Sequence, residues 1–166
     1  MSITFNTDEI FEIAEEMERQ AMRLYKDAQS KASDEKTKEL LGEFSHMEEN
    51  HMKIFHEMRS HLSQQDKEET VYDPDNQAVL YLQAMADSHG MEGKKGPDKP
   101  LTGKESIREL LEIACGAEKN SIVFYHSIME YVKSPAGKKK VNEIIHEEFR
   151  HLNTLQDYLQ AEKRSG

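Results

Sequence analysis

The feature that most limits what this chain can fold into is an internal duplication at an interval of 100 residues. Glu18, Tyr25, Glu48 and His51 recur as Glu118, Tyr125, Glu148 and His151. Helix starts recur with them. Asn6 with Glu9 and Ser106 with Glu109 both have the cap-x-x-Glu form, in which a side-chain oxygen and a glutamate satisfy each other's backbone donors. The repeat calls for two copies of one helical unit packed together. Four carboxylates and two imidazoles recurring as a set are also the donor list of a site for two metal ions, which points to redox metal chemistry in a helical bundle.

Hydrophobic periodicity predicts four long helices, over residues 7–30, 33–62 and 106–132 and then from Pro135 to about residue 161, with Ser134 as the last N-cap. The hairpins 7–62 and 105–162 are separated by residues 63–104, a connection of different character that carries Gly90, Gly93, Gly96, Gly103, Pro97 and Pro100. Within it, Asp73-Pro74 is expected to open a short amphipathic helix through about Ser88, with Val79, Leu82, Met85 and Ala86 on one face. A link of that length suits hairpins joined with the second and third helices parallel, since the chain must then travel the full length of the bundle. The expected architecture is all-α: a four-helix bundle of two duplicated hairpins with a long crossover. At 166 residues, 1–166 is read as a single domain.

Where the acids fall relative to the apolar stripes decides what the repeat means. Spacing of three and four gives Leu41, Phe44, Glu48, His51, Phe55, Met58 and Leu62 along one face of the second helix. The fourth helix gives Val141, Ile144, Glu148, His151, Leu155 and Tyr158 in the same register. Glu18 and Glu118 lie in the rows Phe11, Ala14, Glu18, Ala21, Tyr25 and Leu111, Ala114, Glu118, Ser121, Tyr125. A buried salt-bridge network is the competing explanation, but no Lys or Arg occupies these stripes. Four uncompensated carboxylates would cost several kcal/mol each to bury. Two divalent cations would neutralise all four.

A second duplicated pair, Glu43 with His46 and Glu143 with His146, serves as an internal control. Its register on the second helix, Glu43, His46, Asn50, Lys53, Glu57 and Ser60, is polar throughout and reads as solvent-facing. His56, His61, His89 and His126 lack a duplicated inward-facing acid and are read as surface or structural residues.

Charge and cysteine content narrow the function classes. A net charge of −10 with no clustered basic stripe sets the surface against nucleic acid. The lone Cys115 excludes an internal disulfide framework and a four-cysteine metal knob, so an electron donor would have to be another molecule. Cys115 itself is read as a buried hydrophobe in preference to a redox-active thiol. The first residues turn acidic at once and no window approaches about 18 apolar residues, so a cytoplasmic protein with no membrane partner is expected.

Taken together, these residues resemble the ferritin-like di-iron carboxylate proteins and, within them, the rubrerythrin-type domain, over nearly the whole chain. The sequence looks like an erythrin domain without the rubredoxin tail. The resemblance implies a ferritin-like four-helix bundle with Glu18, Glu48, His51, Glu118, Glu148 and His151 as ligands to two iron ions, manganese or zinc being compatible with the same donors. It also implies that Tyr25 and Tyr125 hydrogen-bond ligand carboxylates; simple core packing is the other reading of both. Many rubrerythrins carry an additional Glu one turn beyond the third-helix ligand, where this chain has Ser121. That gives a six-ligand, nearly symmetric site closer to a bacterioferritin ferroxidase centre, and puts in doubt any mechanism needing a seventh protein ligand. The fourth helix is expected to end near Ala161 with only EKRSG after it, so the short fifth helix of cage-forming ferritins is not expected. The implied activity is reduction of hydrogen peroxide to water with electrons from a separate donor protein. Oxidation of ferrous iron by dioxygen and a non-enzymatic metal-binding stress role are the alternatives. A homodimer is expected, because a Gly-rich crossover permits exchange of hairpins.

Overall fold

The structure, a computed structural model, describes residues 5–68, 77–88 and 102–165. Six helices are formed among them: α1 (Thr7–Lys31), α2 (Glu35–Ser60), α3 (Gln64–Glu68), α4 (Gln77–Ser88), α5 (Ile107–Ile128) and α6 (Pro135–Ser165).

Their starts follow from capping chemistry. The Glu9 amide donates to Asn6 Oδ1 at 2.9 Å while the Asn6 amide donates to Glu9 Oε2 at 3.0 Å. Ser106 and Glu109 form the same reciprocal pair at the start of α5, so the duplicated signature is a duplicated structure. Asp34 caps α2 by accepting from the Thr37 amide at 2.9 Å, and Ser134 caps α6 by accepting from the Gly137 amide at 2.9 Å.

Several boundaries differ from the sequence expectation, for local reasons. α5 ends at Ile128 instead of running to 132, because the Tyr131 amide turns back onto the Ile128 carbonyl at 3.0 Å. That turn carries Val132 into the core and sets Ser134 in place as a cap. α2 begins at Glu35, since Asp34 takes the cap, and ends at Ser60. α6 continues to Ser165, past the expected end. α3 was not expected; Ser63 and Asp66 exchange side-chain hydrogen bonds that close its single turn. The expected opening of the crossover helix at Asp73-Pro74 lies outside the described residues, and α4 is described from Gln77. On its expected inward face Leu82 and Met85 are buried; the side chains of Val79 and Ala86 lie outside the described residues.

Helix directions can be read from the core. Phe11, Ile13 and Ala14 near the start of α1 share one cluster with Phe55 late in α2, Tyr125 and Ile128 late in α5, and Val141 early in α6. Leu24, Tyr25 and Ala28 late in α1 share the other with Leu41 and Phe44 early in α2, Leu110 and Leu111 early in α5, and Leu155 in α6. α1 is therefore antiparallel to both α2 and α5, and α2 and α5 run parallel. A crossover of the bundle's full length, about 37 Å for the 25 residues of α1, follows directly. α4 lies on this path and seals one end of the core with Leu82 and Met85, while Tyr81 packs against Phe124 at 6.3 Å between ring centroids. Between the two clusters, at mid-height, the stripe of every long helix turns from apolar to acidic.

Candidate metal centre

Each long helix sends its mid-stripe residues inward. Glu18 comes from α1, Glu48 and His51 from α2, Glu118 from α5, and Glu148 and His151 from α6, each at most 2% exposed. The α-helical repeat accounts for the pairing: residues three apart share a face, so α2 and α6 each present one carboxylate and one imidazole to the same interior point.

The six residues form two overlapping groups. Glu18, Glu48, His51 and Glu148 each bring one ligand atom within 4.8 Å of the others, and Glu48, Glu118, Glu148 and His151 do the same. Glu48 and Glu148 belong to both. Nδ1 of His51 lies 2.9 Å from Glu148 Oε1 and 3.2 Å from Glu48 Oε2; Nδ1 of His151 lies 3.0 Å from Glu48 Oε1 and 3.3 Å from Glu148 Oε2. The arrangement has the near-twofold symmetry of the sequence repeat.

The donors fit divalent cations on their hydrogen bonding. Glu18 Oε2, Glu48 Oε1, both carboxylate oxygens of Glu148 and Nδ1 of His151 are buried without a hydrogen-bond partner. Orphaned oxygens of this kind are costly in a core unless a cation satisfies them. Among the described residues, no Lys or Arg forms an ion pair with any of the six.

Two tyrosines brace the acids crosswise. The Tyr25 hydroxyl donates to Oε1 of Glu118, and the Tyr125 hydroxyl to Oε1 of Glu18. Long side chains on a helix lean toward its N-terminus, so Tyr25 and Tyr125, each two turns beyond the acid of its own helix, reach back to the acid of the antiparallel partner. Burial, reinforced by the charge of Glu118 beside Tyr25 and of Glu18 beside Tyr125, holds both phenols well above their ordinary pKa; they stay protonated donors.

Proton affinities in the cluster are displaced in opposite directions. Burial, with the negative charge of Glu148, pushes the carboxyls of Glu18 and Glu118 well above the usual range. Burial acts upward on Glu48 and Glu148 too, but the nearby imidazoles of His51 and His151, and Glu118 beside Glu148, outweigh it and both fall below the usual range. For His151 burial opposes protonation, yet the carboxylates of Glu118, Glu148 and Glu48 close to its Nδ1 prevail and push it up to about 12. His51 is likewise raised, burial being outweighed by the surrounding carboxylates of Glu147, Glu148, Glu18 and Glu48. Protons and cations therefore compete for the same atoms.

The control pair lies elsewhere: Glu43, His46, Glu143 and His146 are all exposed, as are Asn50, Lys53, Glu57 and Ser60. His61 and His126 are exposed, His56 is exposed with its Nδ1 3.4 Å from Glu15 Oε2, and His89 lies outside the described residues. Cys115 is buried among Leu111, Ala114 and Leu152, and burial pushes its thiol pKa up, as for an inert apolar side chain.

Three residues near the cluster escaped the stripe argument. Glu147 Oε2 lies 2.7 Å from Nε2 of His51, and Met47 Sδ lies 3.4 Å from Nε2 of His151. Both positions lie off the apolar stripe, one residue before a ligand; comparing the repeats at 47 and 147 would have marked them, because the duplication fails there. Glu15, one turn before Glu18, is also buried, with Arg59 Nη1 3.7 Å from its Oε1.

No protein-family model matches the chain, and no curated protein matches it at a significant level. Among solved structures, it superposes with a TM-score of 0.71 on a Thermotoga maritima protein described, provisionally, as a ferritin-like diiron-carboxylate protein. The alignment covers 96% of this chain and 98% of that one at 19% sequence identity. The class defined here is thus an all-α, ferritin-like bundle. Within it, the chain carries a buried carboxylate–histidine cluster with the donor set of a two-metal site.

Proposed function

We propose that this chain is a di-iron oxidoreductase of the rubrerythrin type, reducing hydrogen peroxide to water with electrons from a separate donor protein. The observation that carries the reading is the cluster itself: six inward donors in two groups sharing Glu48 and Glu148, with their unsatisfied atoms facing one interior space. Glu18, Glu48, His51, Glu118, Glu148 and His151 would hold the ions. Carboxylate and imidazole donors without thiolates suit iron or manganese. When bound, iron would supply both the charge that polarises peroxide and the electrons consumed in H2O2 + 2 e− + 2 H+ → 2 H2O.

The protein's own contribution is position and enclosure. Tyr25 and Tyr125 fix Oε1 of Glu118 and Glu18, and Oε2 of Glu18 stays buried without a partner. Ala14, Ala21, Ala114 and Ser121 flank the two single acids with small, buried side chains, which suits a small oxidant as the reacting partner. The apolar clusters above and below keep the site dry, which strengthens every electrostatic interaction within it.

Ferroxidase activity is the second reading. Ser121, buried where many rubrerythrins carry a further acid, leaves the site six-ligand and nearly symmetric, the form suited to ferrous oxidation by dioxygen. A homodimer belongs to the same proposal, supported by the exposed apolar residues Ile113 and Val123 on α5 and Phe149 on α6. A reducing, cytoplasmic setting is consistent with the single free cysteine. The test of function is peroxide consumption by iron-loaded protein with a chemical reductant: Glu118→Ala that still folds should lose turnover, and unchanged turnover would refute the assignment.

A further inference from the structure

The sequence repeat makes the two halves of the metal centre alike in their ligands but not in what stands behind them. A histidine that gives Nδ1 to a metal keeps its proton on Nε2, and the partner of that N–H sets the ring's orientation and basicity. Behind His51 stands a carboxylate, Glu147 Oε2 at 2.7 Å from Nε2. Glu147 is itself held by Arg150, whose Nη2 lies 3.3 Å from Oε1. The matching contact behind His151 is a thioether, Met47 Sδ at 3.4 Å, a weak acceptor. Position 150 matches Asn50, which is exposed, so no cation brace is repeated there. His151 is steadied instead by packing, with Phe44 at 4.3 Å between ring centroids, where the other half has Ile144.

We propose that Glu147 is a positioning residue that makes the two metal positions unequal. By fixing and charging the outer edge of His51, it makes the position built on Glu18, Glu48, His51 and Glu148 bind a divalent cation more tightly than the one built on Glu48, Glu118, Glu148 and His151. Loading is then ordered, with the His51 side filling first. A charged carboxylate behind a ligating histidine is worth on the order of 10- to 100-fold in metal affinity, while a thioether contributes far less. This inference rests on the two-cation reading of the cluster, which its test examines separately.

The test is anaerobic titration of chelator-stripped protein with Co(II), followed by visible absorbance and by metal analysis after desalting. The expected result is two ions per chain in two resolved steps. With one equivalent added, anomalous scattering from crystals should place cobalt at the His51 position. Glu147→Gln should weaken the first step by about 10- to 100-fold and alter the spectrum of the first equivalent, with the second step little changed. Met47→Glu should tighten the second step and bring the two together. Glu147 and Met47 are both only partly buried, so neither variant removes a core side chain. Two equal steps indifferent to both substitutions, or a first ion at His151, would overturn the inference while leaving the two-metal reading intact. Fewer than two ions per chain, or binding that survives Glu48→Ala with Glu148→Ala, would overturn both.

Discussion

The Tyr25 hydroxyl donates to Glu118, a residue 93 positions away on the facing helix, and Tyr125 returns the contact to Glu18. Each half of the duplication thus holds the acid of the other. The two halves are interlocked at the level of their chemistry as well as their cores, and neither hairpin can build its acid's environment alone.

Tyr25→Phe removes the phenol that fixes Glu118 while keeping the ring that packs against Phe44. Metal affinity should fall by about 10-fold or more, with the helical content unchanged. Equilibrium metal titration checks this; unaltered affinity would return Tyr25 to a packing role.

Removing bound metal should lower stability, because cations bound to the folded chain alone shift the folding equilibrium. Free metal at about 1,000 times the dissociation constant contributes about 4 kcal/mol. For a chain of 166 residues that is roughly 10 °C in Tm, at about 2–4 °C per kcal/mol. Calorimetry with and without a chelator gives the shift.

That shift should widen as pH rises. In the stripped chain His151 is raised from 6.5 to about 12, so its stabilising proton is fully bound below about 6.5 and its contribution fades as pH climbs through about 12. Glu18 and Glu118, also raised, act in the same sense, their contribution fading above the ordinary 4.5. The lowered Glu48 and Glu148 give stability that is present above 4.5 and lost only in acid. The metal requires the same atoms without protons, so its affinity rises with pH. Between about pH 6 and about pH 9, the loaded protein should gain in Tm relative to the stripped one, with protons released on binding. A gap that narrows over this range would contradict the assigned proton positions.

Glu43→Gln with His46→Gln, at the exposed copy of the same Glu-x-x-His spacing, should leave metal content and stability within about 0.5 kcal/mol of the parent. Glu48→Gln should lower metal content. Atomic absorption on the two proteins separates spacing from burial as the determinant.

Much of this architecture could be read from residue types alone. The duplicated caps gave the starts of α1 and α5, and the interruption of an apolar stripe by Glu and His gave the inward residues, since burial of acid is informative where burial of Leu is not. Helix ends were less readable: the turn from Ile128 to Tyr131 depends on a backbone hydrogen bond that no side chain announces. The crosswise tyrosine contacts were not visible either, because a repeat in sequence says which residues correspond and not which half they serve. Glu147 and Met47 were passed over because the stripe argument looks for what repeats, whereas their role lies in what does not.

The most direct test of the central claim is anaerobic reconstitution with ferrous iron, metal analysis, and stopped-flow absorbance after mixing with peroxide or dioxygen separately. The account predicts two irons per chain, oxidised much faster by peroxide than by dioxygen. Faster reaction with dioxygen and repeated turnover of added iron would replace the peroxidase reading with ferroxidase activity, and stably bound iron inert to both oxidants would contradict a redox role.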